Sequence, residues 1–152
     1  MAASWYTAGL AAMDGAFDMN TSTLKLMLLK DSYTFNPDHA SLTPLAAEEC
    51  DATNYAGGFG GGGRKTVTVT SHQNDTDNRR DWAVSDTTWT ALGGASNNTI
   101  EAAALVFEQT NDAGSIPIVY FDFSGGNFTT NGSDVLLDFL ALGSGGNARI
   151  AV

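Results

Sequence analysis

Cysteine is almost missing from this chain: Cys50 stands alone, which excludes an intrachain disulfide framework, a C-x-x-C redox pair and a thiolate zinc knuckle. Basic residues are scarce as well. Seven Lys and Arg face 17 Asp and Glu, a formal net charge of −10, and such a field repels the phosphates of nucleic acid and of anionic membranes. Neither is therefore expected as a partner. The basic pairs Arg64-Lys65 and Arg79-Arg80 are too short to form a binding tract. Long apolar runs are lacking too, since no stretch reaches the ~18 apolar residues of a membrane helix. The first residues, MAASWYTAGLAAMDGAF, carry no basic n-region, so a secretory signal is not expected.

Catalytic vocabulary is equally thin. There are two histidines, His39 and His72, and no G-x-S-x-G nucleophile elbow. Asp31, Asp38 and His39 could be read as metal ligands and Asp75, Asp77, Asp81 and Asp86 as a calcium loop, but an EF-hand needs Gly at its sixth position and Glu at its twelfth. Counting from Asp75, those positions hold Arg80 and Asp86. Solvated turn carboxylates are the better reading, and no metal, cofactor or enzymatic activity is expected.

What is present is Gly, Asn, Thr, Ser and Ala, with only 16% of residues charged, a pattern of small polar turns between strands. The 152 residues are expected to form a single domain, because a chain of about 150 residues buries roughly 68–70% of its unfolded surface. Residues 4–17 place Trp5, Leu10 and Phe17 near helical spacing behind Ser4 as a candidate N-cap, which predicts one short helix. Residues 23–29 read as a strand that is apolar on nearly both faces, hence central in a sheet. Residues 31–63 hold Pro37, Pro44 and a glycine cluster and read as a long loop with a helical turn around 45–50.

Beyond that loop, residues 65–71 alternate, with Val67 and Val69 on one face and Thr66, Thr68 and Thr70 on the other, the signature of a half-buried strand. A polar turn at 73–78 and a run at 80–85, with Trp82 and Val84 on one face, complete a hairpin. Further strands are predicted at 87–92, 99–108, 116–123, 133–142 and 147–152, the run 99–108 being rich enough in Ala to permit a helix as well. Strands at such spacing, with no βαβ alternation, predict a mainly β domain of the antiparallel sandwich or jelly-roll kind.

One short motif invites a different conclusion. Gly58-Phe-Gly60-Gly-Gly-Gly63 satisfies G-x-G-x-x-G and runs into Arg64, Lys65 and Thr66. A dinucleotide fingerprint needs a strand before the glycines and a helix after them, whereas here loop precedes and strand follows. Arg64 also spoils the Walker spacing. The run is therefore expected to be a mobile lead-in to the next strand, tolerant of serine at 60–63.

The order of segments carries a resemblance across nearly the whole chain. AMDGAFDMNTSTLKLMLLKDSYTFNPD (12–38), NYAGG (54–58), RKTVT (64–68), Asp86-Thr-Thr-Trp89, AALVF (103–107), SIPIVYFDF (115–123) and Asn131-Gly132 together resemble small structural proteins of tailed bacteriophage virions, and among them capsid decoration, or cement, proteins. The resemblance implies a β-rich non-enzyme without cofactors, made in the host bacterial cytoplasm. It would sit on the virion capsid surface, bridge major capsid protein subunits, and form a homo-oligomer, with a trimer favoured. Strands apolar on both faces, at 24–29, 118–123 and 134–142, suit either subunit contact or a core covered from within. The candidates for subunit or capsid contact are Trp5, Phe59, Leu136, Phe139 and Leu140. A tail or neck component is the alternative virion role. A carbohydrate-binding module that uses Trp5, Trp82 and Trp89 as stacking platforms is the alternative outside the virion.

Overall fold

The computed structural model describes residues 2–75, 78–123, 125–139 and 148–151. The protein is mainly β, with every strand pair antiparallel. In chain order the elements are β1 (Ala2–Trp5), α1 (Thr7–Ala12), β2 (Leu24–Lys30), α2 (Thr43–Ala47), β3 (Lys65–Val67), β4 (Val69–Asn74), β5 (Arg79–Val84), β6 (Thr87–Leu92), β7 (Thr99–Phe107), β8 (Ile116–Asp122), β9 (Phe128–Thr129), β10 (Ser133–Phe139) and β11 (Ala148–Ala151). The largest sheet runs β1-β8-β7-β2-β3, with β9 also paired to β7; β11-β10-β6 form a second sheet and β4-β5 a hairpin.

The two-sided apolar strands sit at the centre of the largest sheet, and the chain itself covers both faces. On one face Leu24, Leu26, Leu28, Ala103, Leu105, Val119 and Phe121 pack with Trp89, Leu92, Val135 and Leu137 from the β6–β10 sheet and with Val67, Val69 and Val84. On the other, Met27, Leu29, Ala102, Ala104, Val106 and Tyr120 pack under Tyr6, Tyr33, Leu42 and Leu45. Strands 24–29 and 118–123 thus need no second subunit to bury either face. The Ala-rich run is strand β7 rather than helix. Ile100 leaves the row of Ala102, Ala104 and Val106 for the opposite core because the β2–β7 register shifts between Leu29 and Lys30.

Three expectations are corrected. Ser4 caps no helix: it lies in β1, opposite Tyr120 on β8, and the helix is only the six residues of α1. The cause is the edge of β8, whose backbone groups take β1 as a partner as far as the Tyr6 N–H donated to the Ile118 carbonyl at 3.0 Å. From there α1 takes over the same edge, so closely that a Cβ on Gly9 would lie 2.6 Å from the Ile118 Cα. Second, the predicted strand 65–71 is split at Thr68. Its first half pairs with β2 and its second with β5, while Val67 and Val69 both stay buried and Thr66, Thr68 and Thr70 exposed.

Third, the segment 31–63 is tied to the sheet. Beyond the last β3 pairing, Leu26 with Lys65, the edge of β2 would expose its amides. Instead Lys30 N–H donates to the Glu48 carbonyl, Cys50 N–H donates to the Leu28 carbonyl, both at 2.9 Å, and Leu28 N–H donates to the Tyr55 hydroxyl at 3.1 Å. The helical turn within the segment starts earlier than expected, at Thr43, with Pro44 in its first turn, where a missing N–H costs nothing.

Candidate functional site

Two places concentrate chemistry, and the glycine run leads into the first. Gly58 N–H does hold an anion, but it is the carboxylate of Glu49, at 2.9 Å. The same carboxylate accepts the Tyr55 hydroxyl at 3.0 Å and a forked pair of bonds from Arg64, Nε at 3.0 Å to Oε1 and Nη2 at 2.7 Å to Oε2. Arg64 Nη1 reaches Glu108 at 2.9 Å and Asp112 at 2.5 Å, and Lys25 Nζ meets the other oxygen of Glu108 at 2.5 Å.

The Arg64 side chain is 0% exposed and that of Glu49 4%. Burial alone would lower the Arg64 pKa, yet its bonds to Glu49, Asp112 and Glu108 raise it. Burial alone would likewise raise the Glu108 carboxyl, and Lys25 and Arg64 hold it below its ordinary value. Tyr55 is pushed up by burial and by the Glu49 charge beside it. Among the described residues every buried side-chain nitrogen and oxygen has a hydrogen-bond partner. This cluster is filled by its own residues.

Two glycines of the run, Gly61 and Gly63, are held by close contact. A Cβ on Gly61 would lie 2.1 Å from the Ala56 carbonyl oxygen, and one on Gly63 2.7 Å from the Tyr55 ring. Gly63 also gives its carbonyl to the Trp89 indole N–H at 2.6 Å. The expectation of a serine-tolerant, mobile lead-in is therefore wrong at these two positions.

The second place is an open groove of about 180 Å³ lined by Met13, Phe17, Asp18, Met19, Asn20 and Trp82. Trp82, on β5, meets Trp5, at the end of β1, edge to face with ring centroids 5.6 Å apart. Leu10, three residues before Met13 on α1, is 50% exposed. Helical neighbours at this spacing share a face, so α1 extends the apolar rim of the groove.

Of the five contact candidates, Trp5 borders this groove. Phe59 is 44% exposed at the glycine turn, and Leu136 is half-buried on the face of β10 opposite the buried Val135 and Leu137. Phe139 is half-buried against Phe121, centroids 5.1 Å apart. Leu140 lies outside the described residues. Sequence reasoning passed over Met13, Met19 and Asn20, whose only signal was their place between the N-terminal helix and the first strand.

Elsewhere, the Tyr6 and Tyr33 hydroxyls pair at 2.9 Å, and Tyr33 reaches His39 Nδ1 at 3.0 Å. Burial raises both tyrosines above their ordinary pKa. Asp38 meets Thr7 instead of joining His39. Among the described residues, no group of three or more His, Cys, Asp or Glu is placed to hold a metal ion, and no helix is long and apolar enough to cross a membrane. Trp89, offered as a stacking platform, is 1% exposed. No family model, curated protein or solved structure matches the chain.

Proposed function

We propose that this chain is a non-enzymatic structural protein of a tailed-phage virion, a capsid decoration protein that binds the outer surface of the head and bridges major capsid subunits. The reading takes the largest sheet and the β6–β10–β11 sheet as the two layers of a β-sandwich and the working form as a homo-oligomer, with a trimer favoured. The observation that carries it is the Arg64 cluster. It spends two cations and three carboxylates on clamping the long segment to the sheet, which builds a stiff body whose polar core residues are engaged with each other. A protein repeated over a shell gains by avidity from modest contacts, and stiffness keeps those contacts from losing entropy at every site.

Electron cryomicroscopy of particles made with and without the protein tests this. Added density on the head that vanishes in the deletion is expected. Density confined to tail or neck would transfer the role there, and a protein absent from the particle would overturn the reading. The groove beside Trp5 and Trp82, with Asp18 and Asn20 on its wall, supports carbohydrate binding as the second reading, which a glycan array without signal above background would dismiss.

A further inference from the structure

We propose that the outer edge of β1, together with the Trp82 groove, is a docking surface for an extended segment of a partner protein in which apolar and basic side chains alternate. The pairing register supplies the backbone half of this surface. Tyr6 bonds to Ile118, and β1 runs antiparallel to β8 with Ser4 opposite Tyr120 and Ala2 opposite Asp122. In an antiparallel ladder, hydrogen-bonded positions alternate. The N–H and C=O groups of Ala3 and Trp5 therefore point away from β8, along the edge of the sheet.

Edges of this kind are normally blunted by Lys, Pro, a bulge or a covering element. The sequence Ala2-Ala-Ser-Trp5 has none of the residues that do so, and its pairing with β8 is unbroken. The matching edge of β2 is covered by Glu48–Cys50 and Tyr55, and α1 covers β8 beyond Trp5. Among the described residues no strand pairs with the outer edge of β1.

The side-chain half is the groove, where Trp82 touches Trp5 and Met13, Phe17 and Met19 supply apolar walls. A strand added to β1 projects alternate side chains to the same face of the sheet, so every second residue of the guest can rest against Trp5 and the groove. Charge decides the residues between, which project to the opposite face of the sheet: they meet the field of the whole chain, which carries −10, with Asp14 and Asp18 both exposed. That field favours a cationic guest and opposes a second copy of this chain. The inference rests on the structural reading only in taking the partner to be a protein. A chain missing from virions that still binds such a segment would overturn that reading and leave this one standing.

The test is titration of the ¹⁵N-labelled protein with the peptide acetyl-Lys-Leu-Arg-Leu-Lys-Leu-amide, and with a control in which Glu replaces each basic residue. Saturable shifts are expected at the amides of Ala3 and Trp5 and at the Trp82 indole, with the acidic peptide at least about tenfold weaker, a difference of about 1.4 kcal/mol. Ala3→Pro removes an outward N–H that β8 does not use, so it leaves the fold intact and is expected to weaken binding about tenfold; Trp82→Ala is expected to weaken it similarly. The proposal is overturned by the absence of saturable shifts, by shifts elsewhere, by equal affinity for the two peptides, or by unchanged binding to the Ala3→Pro protein. Concentration-dependent shifts at Ala3 and Trp5 without peptide would name a second copy as the occupant and overturn it equally.

Discussion

Arg64 approaches Glu49 side-on, Nε bonding Oε1 and Nη2 bonding Oε2, with the Arg64 side chain fully buried and that of Glu49 nearly so. A forked pair of this geometry is among the stronger polar contacts available to a protein, but its formation repays desolvation more than it adds stability. The consequence is asymmetric: the cluster contributes modestly when whole and is severe to break.

Arg64→Met leaves Glu49, Glu108 and Asp112 without the cation that gathers them, and a loss of about 3–5 kcal/mol is expected from removing one member of a buried pair. Arg64→Lys should also be strongly destabilising, since one ammonium cannot reproduce the fork. Urea unfolding measures both. A loss below about 1 kcal/mol, the range of exposed ion pairs, would show that the cluster is hydrated.

Acid should weaken the fold by way of Glu108. Its folded pKa lies below the ordinary value because Lys25 and Arg64 stabilise the carboxylate against the opposing effect of burial. The unfolded chain therefore binds the proton first as pH falls. The stabilisation is fully present above the unfolded carboxyl pKa of about 4.3 and is lost as pH drops through the lower folded value. Urea midpoints measured from neutral pH downward should fall in this window, and Glu108→Gln should flatten part of the slope. An unchanged slope in that variant would remove Glu108 from the account.

Cys50 is buried, and burial pushes its thiol up to about 11. A raised folded pKa means that the neutral thiol's contribution is complete below the unfolded value of about 8.5 and fades as pH rises toward the folded one. At mildly alkaline pH the native protein should resist iodoacetamide and react at a rate set by unfolding. Labelling in native buffer as fast as in urea would contradict the burial.

The glycine run should divide by position. Gly63→Ala drives a methyl into the Tyr55 ring, and overpacking of this kind costs about 1–3 kcal/mol. Gly62→Ala meets open space and needs no left-handed backbone, so it should stabilise by about 0.4–1 kcal/mol through the unfolded chain. Thermal melts of the two variants moving in the same direction would refute the distinction.

The strands were legible where alternation was strong, as with Val67 and Val69 and the apolar run of β2. They were illegible where pairing alone makes the strand: Ala2–Trp5 has no pattern of its own and is ordered by the edge of β8. Arg64 read as half of a basic pair too short to bind anything, because its carboxylates are far away in sequence, at Glu49, Glu108 and Asp112, and nothing local marks them. Trp82 was correctly given a face with Val84, but its contact with Trp5, and so the groove, depends on how hairpin and N-terminus converge. Side-chain chemistry was visible residue by residue, while the placements that give it a use were tertiary.

Where β3 stops, Glu48, Cys50 and the Tyr55 hydroxyl continue the edge of β2. Amide exchange should therefore not sort this molecule into a slow sheet and a fast connection. The N–H groups of Leu28, Lys30 and Cys50 come free only when the segment lifts away, and lifting it also opens the Arg64 cluster. The stretch between Lys30 and Lys65 shares one cooperative unit with the sheet, and a protease that nicks it cuts into the fold rather than trimming a connection.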